Sequence, residues 1–496
     1  MRRIVSGIIQ YFRDLAQATR RGWTAFFFSP ADPTALGLIR VGTGLLAFWS
    51  LFVLGIDLHD YFGSRGWADP DLIWQTQRAR QPWAWSFWFL VPDGWLRGAW
   101  MLCLIVLAMF TAGLFSRVTA VLSWIIVVST VRRVPIALFG FDQVLSTLLL
   151  YLAASLASGQ AVSLDRFLAR WREARASARS TRTLPGLGRA VGPREPGMPR
   201  ATVSANLGLR MIQLHLVFIY AMAGLAKLQG PSWWNGMALW GTMTAGEFVS
   251  RDFTSLADWP IVLNLLTHAS LALELLYPFL IWVPLLRPLM LAGAVMLHLG
   301  IAWVCPGLTE FGLAMIVANL AFVPGRRLRS LATGPEQPGL RVLFDGACPR
   351  CRASMALLTA ADPDRTIEPI DLTAVEVATV HPSLTRAACM QSMHVVTPTG
   401  QIEAGFDGVR AALSRLPLFW PLALAGWLPG VAWLGRRGYN YLAATRPRDV
   451  PCTDEVCGLR PPSSRASRPG ESESPLVSSA TTTKDHPRRR DDDEHQ

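Results

Sequence analysis

The 496-residue chain is 51% hydrophobic and only 17% charged, with 20 tryptophans and 23 phenylalanines, a balance that excludes a string of ordinary soluble domains and points to a bilayer. Its formal charge of +12 rests on 45 arginines and two lysines. The arginines sit in loops and ends with no nucleic-acid module around them, so they read as a topology signal and no nucleic-acid partner is expected. Seven cysteines, unevenly spread, do not make a secreted disulfide scaffold.

Residues 1–35 lack the continuous apolar core and the small-residue cleavage site of a signal peptide. Ile4, Ile8, Ile9, Phe12 and Leu15 recur at helical spacing between arginines. That pattern fits an amphipathic helix in the lipid headgroup region, and equally a helix packed on a membrane domain.

Residues 36–324 are predicted to form a transmembrane bundle. Apolar windows long enough to cross about 30 Å of hydrocarbon fall at 36–56, 96–115, 118–134, 144–164, 207–228, 262–283, 286–305 and 308–323, the third being the weakest. Backbone in lipid must be helical, so the prediction is about eight helical spans. The stretch 166–200 carries nine arginines, and PGRRLRS follows the last window. With an even number of spans these place both termini on the cytoplasmic side of an inner (cell) membrane. Arg132 and Arg133 run against that orientation.

Lys484 lies in the tail, which leaves Lys227 as the one lysine among the apolar windows, in MIQLHLVFIYAMAGLAKLQGPSWWNG. A lysine, unlike an arginine, can lose its proton near neutral pH when buried, so this position permits general-base chemistry. It equally permits snorkelling to the interface beside Trp233 and Trp234. His215 and His298 are the other intramembrane groups with supporting potential, with Glu274 and Glu310 as candidate partners.

After the Pro/Gly stretch TGPEQPG the character changes. Residues 341–446 alternate short strands (341–344, 366–370, 394–397) with helices (351–359, 409–416) around a TPTG turn, which predicts a small α/β domain. Its sequence VLFDGACPRC places Cys348 at a strand-to-helix corner and Cys351 one turn inside the helix. Backbone N–H groups and the helix dipole favour a thiolate at the first position, and the three-residue offset lets the second sulfur attack a mixed disulfide. Cys452 and Cys457 are the remaining clustered pair, at spacings poor for a compact zinc site, and no metal is expected. Asp345 is expected to cap the turn, or to influence proton transfer at Cys351. Residues 447–496, rich in Ser, Pro, Thr and Arg, read as a disordered tail.

Two resemblances accompany these readings. Asp345, Cys348 and Cys351, with TPTGQIEAGFDGVRAALSRLP and GYNYLAATRPR, resemble the DCC-type (DUF393) thiol-disulfide oxidoreductase-like domain. That resemblance implies a thioredoxin-like fold and a thiol-containing protein or small thiol as partner. The chain has no proline immediately before the strand facing the cysteines, since Pro398 follows it. Residues 22–323 resemble the HTTM domain shared with vitamin K-dependent gamma-carboxylase. The resemblance is carried by FFFSPADPTALGLIRVGTGLLAF, GFDQVLSTLLLYLAASLASGQAVSLD, YAMAGLAKLQGPSWWNG, LMLAGAVMLHLGIAWV and FGLAMIVANLAF. It implies a quinone of the vitamin K class as cofactor and Lys227 as its base.

The chain is therefore expected to be mainly α, a polytopic bundle followed by a small thioredoxin-like domain. Its expected activity is that of a membrane-anchored thiol-disulfide oxidoreductase. The alternatives are a quinone- or lipid-linked membrane enzyme and a non-enzymatic membrane scaffold.

Overall fold

The computed structural model describes residues 2–67, 69–180, 199–244, 249, 251–333, 339–362 and 365–446. The tail, with Cys452, Cys457 and Lys484, and much of the arginine-rich stretch 166–200 lie outside the described residues.

The N-terminal helix α1 (Arg2–Phe28) is exposed along most of its length and is joined to the bundle at its end. The Phe26 carbonyl accepts hydrogen bonds from Asn206 Nδ2 at 2.7 Å and Arg210 Nε at 3.0 Å. The bundle comprises α2 (Thr34–Leu54), α3 (Leu96–Ala112), α4 (Ser116–Arg133), α5 (Gly140–Ser155), α6 (Leu164–Ser180), α7 (Val203–Lys227), α8 (Pro260–Leu280), α9 (Arg287–Val304), α10 (Thr309–Asn319) and α11 (Gly325–Thr333). One buried apolar cluster runs through it from Leu36 and Leu107 to Leu149, Ile212 and Met315.

Among the described residues, five helices are long and apolar enough to cross a membrane: α2, Asp93–Ala112, α7, α8 and α9. A sixth is added if the pair Pro306–Phe322 and Gly325–Leu331, bent by 115°, counts as one span. The expected count of about eight is not confirmed: beyond the bent pair, the windows 118–134 and 144–164 are not matched by helices of that kind. Helix α4 carries three arginines in 18 residues. Helix α5 has only 16 residues, about 24 Å at the helical rise, and the window 144–164 is broken by a turn after Ser155.

Two arginines are fully buried among the described residues. Arg40 lies inside α2, fully buried, and donates to the carbonyls of Ser158 at 2.8 Å, Val162 at 2.5 Å and Thr111 at 3.4 Å. The Thr111 carbonyl is in the last turn of α3 and those of Ser158 and Val162 lie between α5 and α6, so the guanidinium satisfies backbone that no helix pairs. Arg133, also fully buried, donates to the carbonyls of Phe62 at 3.0 Å and Gly63 at 3.1 Å. Its charge is spent on internal backbone, which explains why it disagrees with a topology count.

The C-terminal domain is built on β1 (Leu340–Phe344), α12 (Pro349–Ala361), β2 (Ile367–Asp371), β3 (His394–Val396), β4 (Ile402–Ala404), α13 (Gly405–Ser414), α14 (Trp420–Ala425) and α15 (Pro429–Ala444). The sheet order is β2-β1-β3-β4; β1 and β2 are parallel, and β3 is antiparallel to both β1 and β4. Val342 and Val395 pack with Met355, Leu358 and Ala412 in one core. Leu343 and Val396 pack with Leu372, Val377 and Cys389 in a second. The period-two alternation of β1 thus feeds two cores, as a central strand requires.

Helix α6 ties this domain to the bundle. At its start Asp165 accepts N–H bonds from Phe115 and Ser116, both at 2.8 Å. Further along, Phe167 packs against the domain core and meets the Phe419 ring edge-on at 6.2 Å. One turn on, Arg170 donates to the carbonyls of Thr359 at 2.9 Å and Asp362 at 2.7 Å, at the C-terminal end of α12.

Candidate active site

The thiol pair sits where β1 ends. Pro349 at the first helical position, lacking an N–H that would be unpaired there, starts α12. Cys348 is therefore its N-cap, and the Cys348 sulfur accepts the Cys351 N–H at 3.3 Å. Both are free thiols. Cys348 is fully buried, whereas Cys351 is half-buried.

The loop between strand and helix is held by two carboxylates. Asp345 is buried and accepts the Ala347 N–H at 3.0 Å, the hydrogen bond of an Asx turn. Asp371, at the end of β2, accepts the Gly346 N–H at 3.1 Å and is also bound by the Thr373 N–H and hydroxyl. A β-carbon on residue 346 would lie 2.0 Å from an Asp371 carboxylate oxygen, so only glycine fits there. Arg352 donates to the Gly346 carbonyl at 2.6 Å.

The far side of the site comes from α15. Arg446, just past its end, places Nη1 4.0 Å from the Cys351 sulfur, and Arg350 donates to the Thr445 carbonyl at 3.2 Å. Met393 occupies the position before β3, and its N–H is taken by the Tyr439 hydroxyl at 2.8 Å. Burial pushes the Tyr439 hydroxyl up. Burial pushes the Cys351 thiol up to about 12, with the hydrogen bond and charge of Cys348 adding to the rise and Arg446 opposing it. Asp371 is missing from a reading of the sequence, and Tyr439 and Arg446 enter it only inside the stretch GYNYLAATRPR, with no role at the thiols, because each lies 20 to 98 residues from the cysteines.

Lys227, His215 and His298 lie apart from the thiols, in the bundle. Lys227 Nζ donates to both oxygens of Glu274, at 2.7 and 2.6 Å, and lies 5.1 Å from the centre of the Trp233 ring. The expected histidine–glutamate partnerships do not form. His298, buried, meets the Tyr220 hydroxyl at 2.8 Å, and His215 meets Tyr151 at 3.2 Å. Glu310 accepts from Trp49 Nε1 at 3.1 Å. The histidines are taken by phenols because Tyr220 and Tyr151 occupy the facing helix positions, which helical periodicity alone does not reveal. Tyr277 and Asn319 extend the buried polar line: Tyr277 donates to Asn319 Oδ1 at 2.6 Å, and Asn319 donates to the Tyr220 oxygen at 3.4 Å.

Among the described residues, no group of three or more His, Cys, Asp or Glu side chains is placed to hold a metal ion. No curated protein and no solved structure matches the chain. The likeness of residues 22–323 to the HTTM domain rests on their motifs alone. The sequence model of one family, the DCC1-like thiol-disulfide oxidoreductases, matches residues 342–449, so the segment bearing the thiol pair is a domain of that family.

Proposed function

We propose that the protein is a membrane-anchored thiol-disulfide oxidoreductase whose chemistry resides in Cys348 and Cys351. The observation that carries this is the Cys348 sulfur at the N-cap of α12, accepting the Cys351 N–H. Exposure favours Cys351 as the attacking thiol, and acidity disfavours it. Burial, with the neighbouring Cys348, pushes its thiol up to about 12, which keeps Cys351 protonated at neutral pH. Cys348, whose sulfur caps α12, is therefore assigned as the attacking thiol, acting once the 345–348 turn opens.

The Cys348 thiolate attacks one sulfur of a substrate disulfide and joins to it, expelling the other as a thiolate. That leaving thiolate takes the proton of Cys351. The Cys351 sulfur then attacks Cys348 and expels the second substrate thiolate. Two electrons pass from the cysteine pair to the substrate, and a Cys348–Cys351 disulfide remains. The arginines of 166–200 and 324–329 support a cytoplasmic side for the domain, and the cytoplasm keeps thiols reduced. The direction is therefore reductive, and the substrate is a protein or small-molecule disulfide.

Alkylation of the full chain in detergent, followed site by site by mass spectrometry across pH, tests the assignment. Cys351 is expected to stay largely unmodified through pH 9 and to gain reactivity only towards pH 12. A glutathione redox buffer is expected to close a reversible Cys348–Cys351 disulfide. Fast alkylation of Cys351 at pH 7, or no such disulfide, would overturn the reading.

A second reading concerns the bundle, because Lys227, Glu274 and the Tyr220–His298–Asn319–Tyr277 line form a polar site inside apolar surroundings. There Lys227 acts as base toward a lipid-soluble quinol once its bond to Glu274 is broken. A Lys227→Arg chain that retained full quinol turnover would remove this reading, since arginine holds its proton.

A further inference from the structure

Helix α15 has two apolar faces. The inner one is narrow: Ala432 is buried, Gly435 lets the helix close on Phe406, and Tyr439 reaches Met393. The outer one, beside it and exposed, carries Val431, Leu434, Tyr441 and Leu442, continued backwards by Trp427 and Leu424. Leu434 is 62% exposed and Trp427 66%. A soluble domain seldom leaves such a stripe uncovered.

The charges around the stripe indicate what covers it. Residues 405–446 hold five arginines against a single acid, Asp407. Two of these arginines lie over tryptophan faces, Arg410 at 4.0 Å from the Trp427 ring centre and Arg437 at 4.1 Å from that of Trp433. Tryptophan, tyrosine and arginine around an aliphatic stripe is the composition of a helix seated at a bilayer surface. Pairing with a second copy would set arginines against arginines. The domain is also held at one end of the bundle, because α6 is bound by Asp165 to the turn between α3 and α4.

We infer that the outer face of α14 and α15 docks the thiol domain onto the interfacial layer of the same bilayer, as a contact with anionic lipid. The inference rests on the reading that the long apolar helices cross that bilayer.

The test uses the full chain in nanodiscs of phosphatidylcholine and phosphatidylglycerol, with a benzophenone amino acid at one position at a time. Leu434 and Val431 report the stripe, Met296 on α9 reports the bundle surface, and Val375, beside the opposite core of the sheet, is the control. Lipid adducts are expected at 434, 431 and 296 but not at 375. Arg437→Glu is expected to lower the adduct at 434 by about fivefold or more, and raising salt to lower it similarly. An adduct at 296 with none at 434 or 431, or a crosslink from 434 to a second chain, would overturn the docking. Silence at all three would bring down the membrane-spanning reading itself and the docking with it.

Discussion

Replacing Cys348 by serine is expected to reduce disulfide exchange by the full chain to the uncatalysed rate, whereas Cys351→Ser is expected to stop the reaction halfway with a stable mixed disulfide. The difference follows from position. Cys348 is the sulfur at the helix N-cap, and Cys351, with its pKa pushed up to about 12, supplies a proton and then the resolving attack. A chain without Cys348 keeps at this site only the Cys351 sulfur, which burial holds protonated at neutral pH, and removing a nucleophile outright commonly costs several orders of magnitude. A chain without Cys351 still attacks but cannot release its partner. Incubation with a chromogenic aromatic disulfide, read by thiolate release and intact mass, separates the cases. With Cys452 and Cys457 replaced by serine in every chain, one equivalent released with an adduct on Cys348 is expected for Cys351→Ser, and none for Cys348→Ser. An adduct on Cys351 in the Cys348→Ser chain would reverse the assignment. The raised pKa of Cys351 also fixes a pH window. The native state favours the protonated Cys351 thiol, so its contribution to stability is complete below the unfolded value near 9 and is lost as pH rises towards 12.

Removal of the Lys227 ammonium alone, as Lys227→Met, is expected to destabilise the bundle by about 3 kcal/mol, the usual scale for leaving one member of a buried ion pair uncompensated. Glu274 is buried and both its oxygens are held by Lys227, so the carboxylate would lose its partner without gaining water. The double variant Lys227→Met, Glu274→Leu is expected to recover most of that loss, because two apolar side chains of similar size fill the site without a stranded charge. Thermal unfolding of the four chains in one detergent gives the cycle. A single variant no less stable than the parent would show that the pair does not hold the fold.

Much of this was legible in the sequence. The strands of the C-terminal domain and the helix after Cys348 fell within a few residues of expectation, because alternation, Pro349 and the TPTG turn are local signals. The bundle was less so. Whether an apolar window spans depends on how far its helix runs and which charges it carries, and α4 and α5 stop short for those reasons. Arg40 was hidden for another. Its carbonyl partners lie 71 to 122 residues away, and nothing around Arg40 in the sequence shows that a span would tolerate it. At the thiol site the cysteines and Asp345 announce themselves by spacing, whereas Asp371, Tyr439 and Arg446 arrive only when the chain folds back.

Phe167 and Arg170 carry a consequence for how separable the two halves are. A segment cut at residue 341 would leave the Phe167 socket open to water and the last carbonyls of α12 without their guanidinium. The helix whose first turn holds the reactive sulfur has its last turn fastened by a residue that belongs, in chain order, to the membrane half. The thiol domain is thus not a cassette to be moved between proteins at its sequence borders. Any transplant has to take α6 with it, and any change that unseats α6 from the bundle acts on the thiols from the opposite end of their helix.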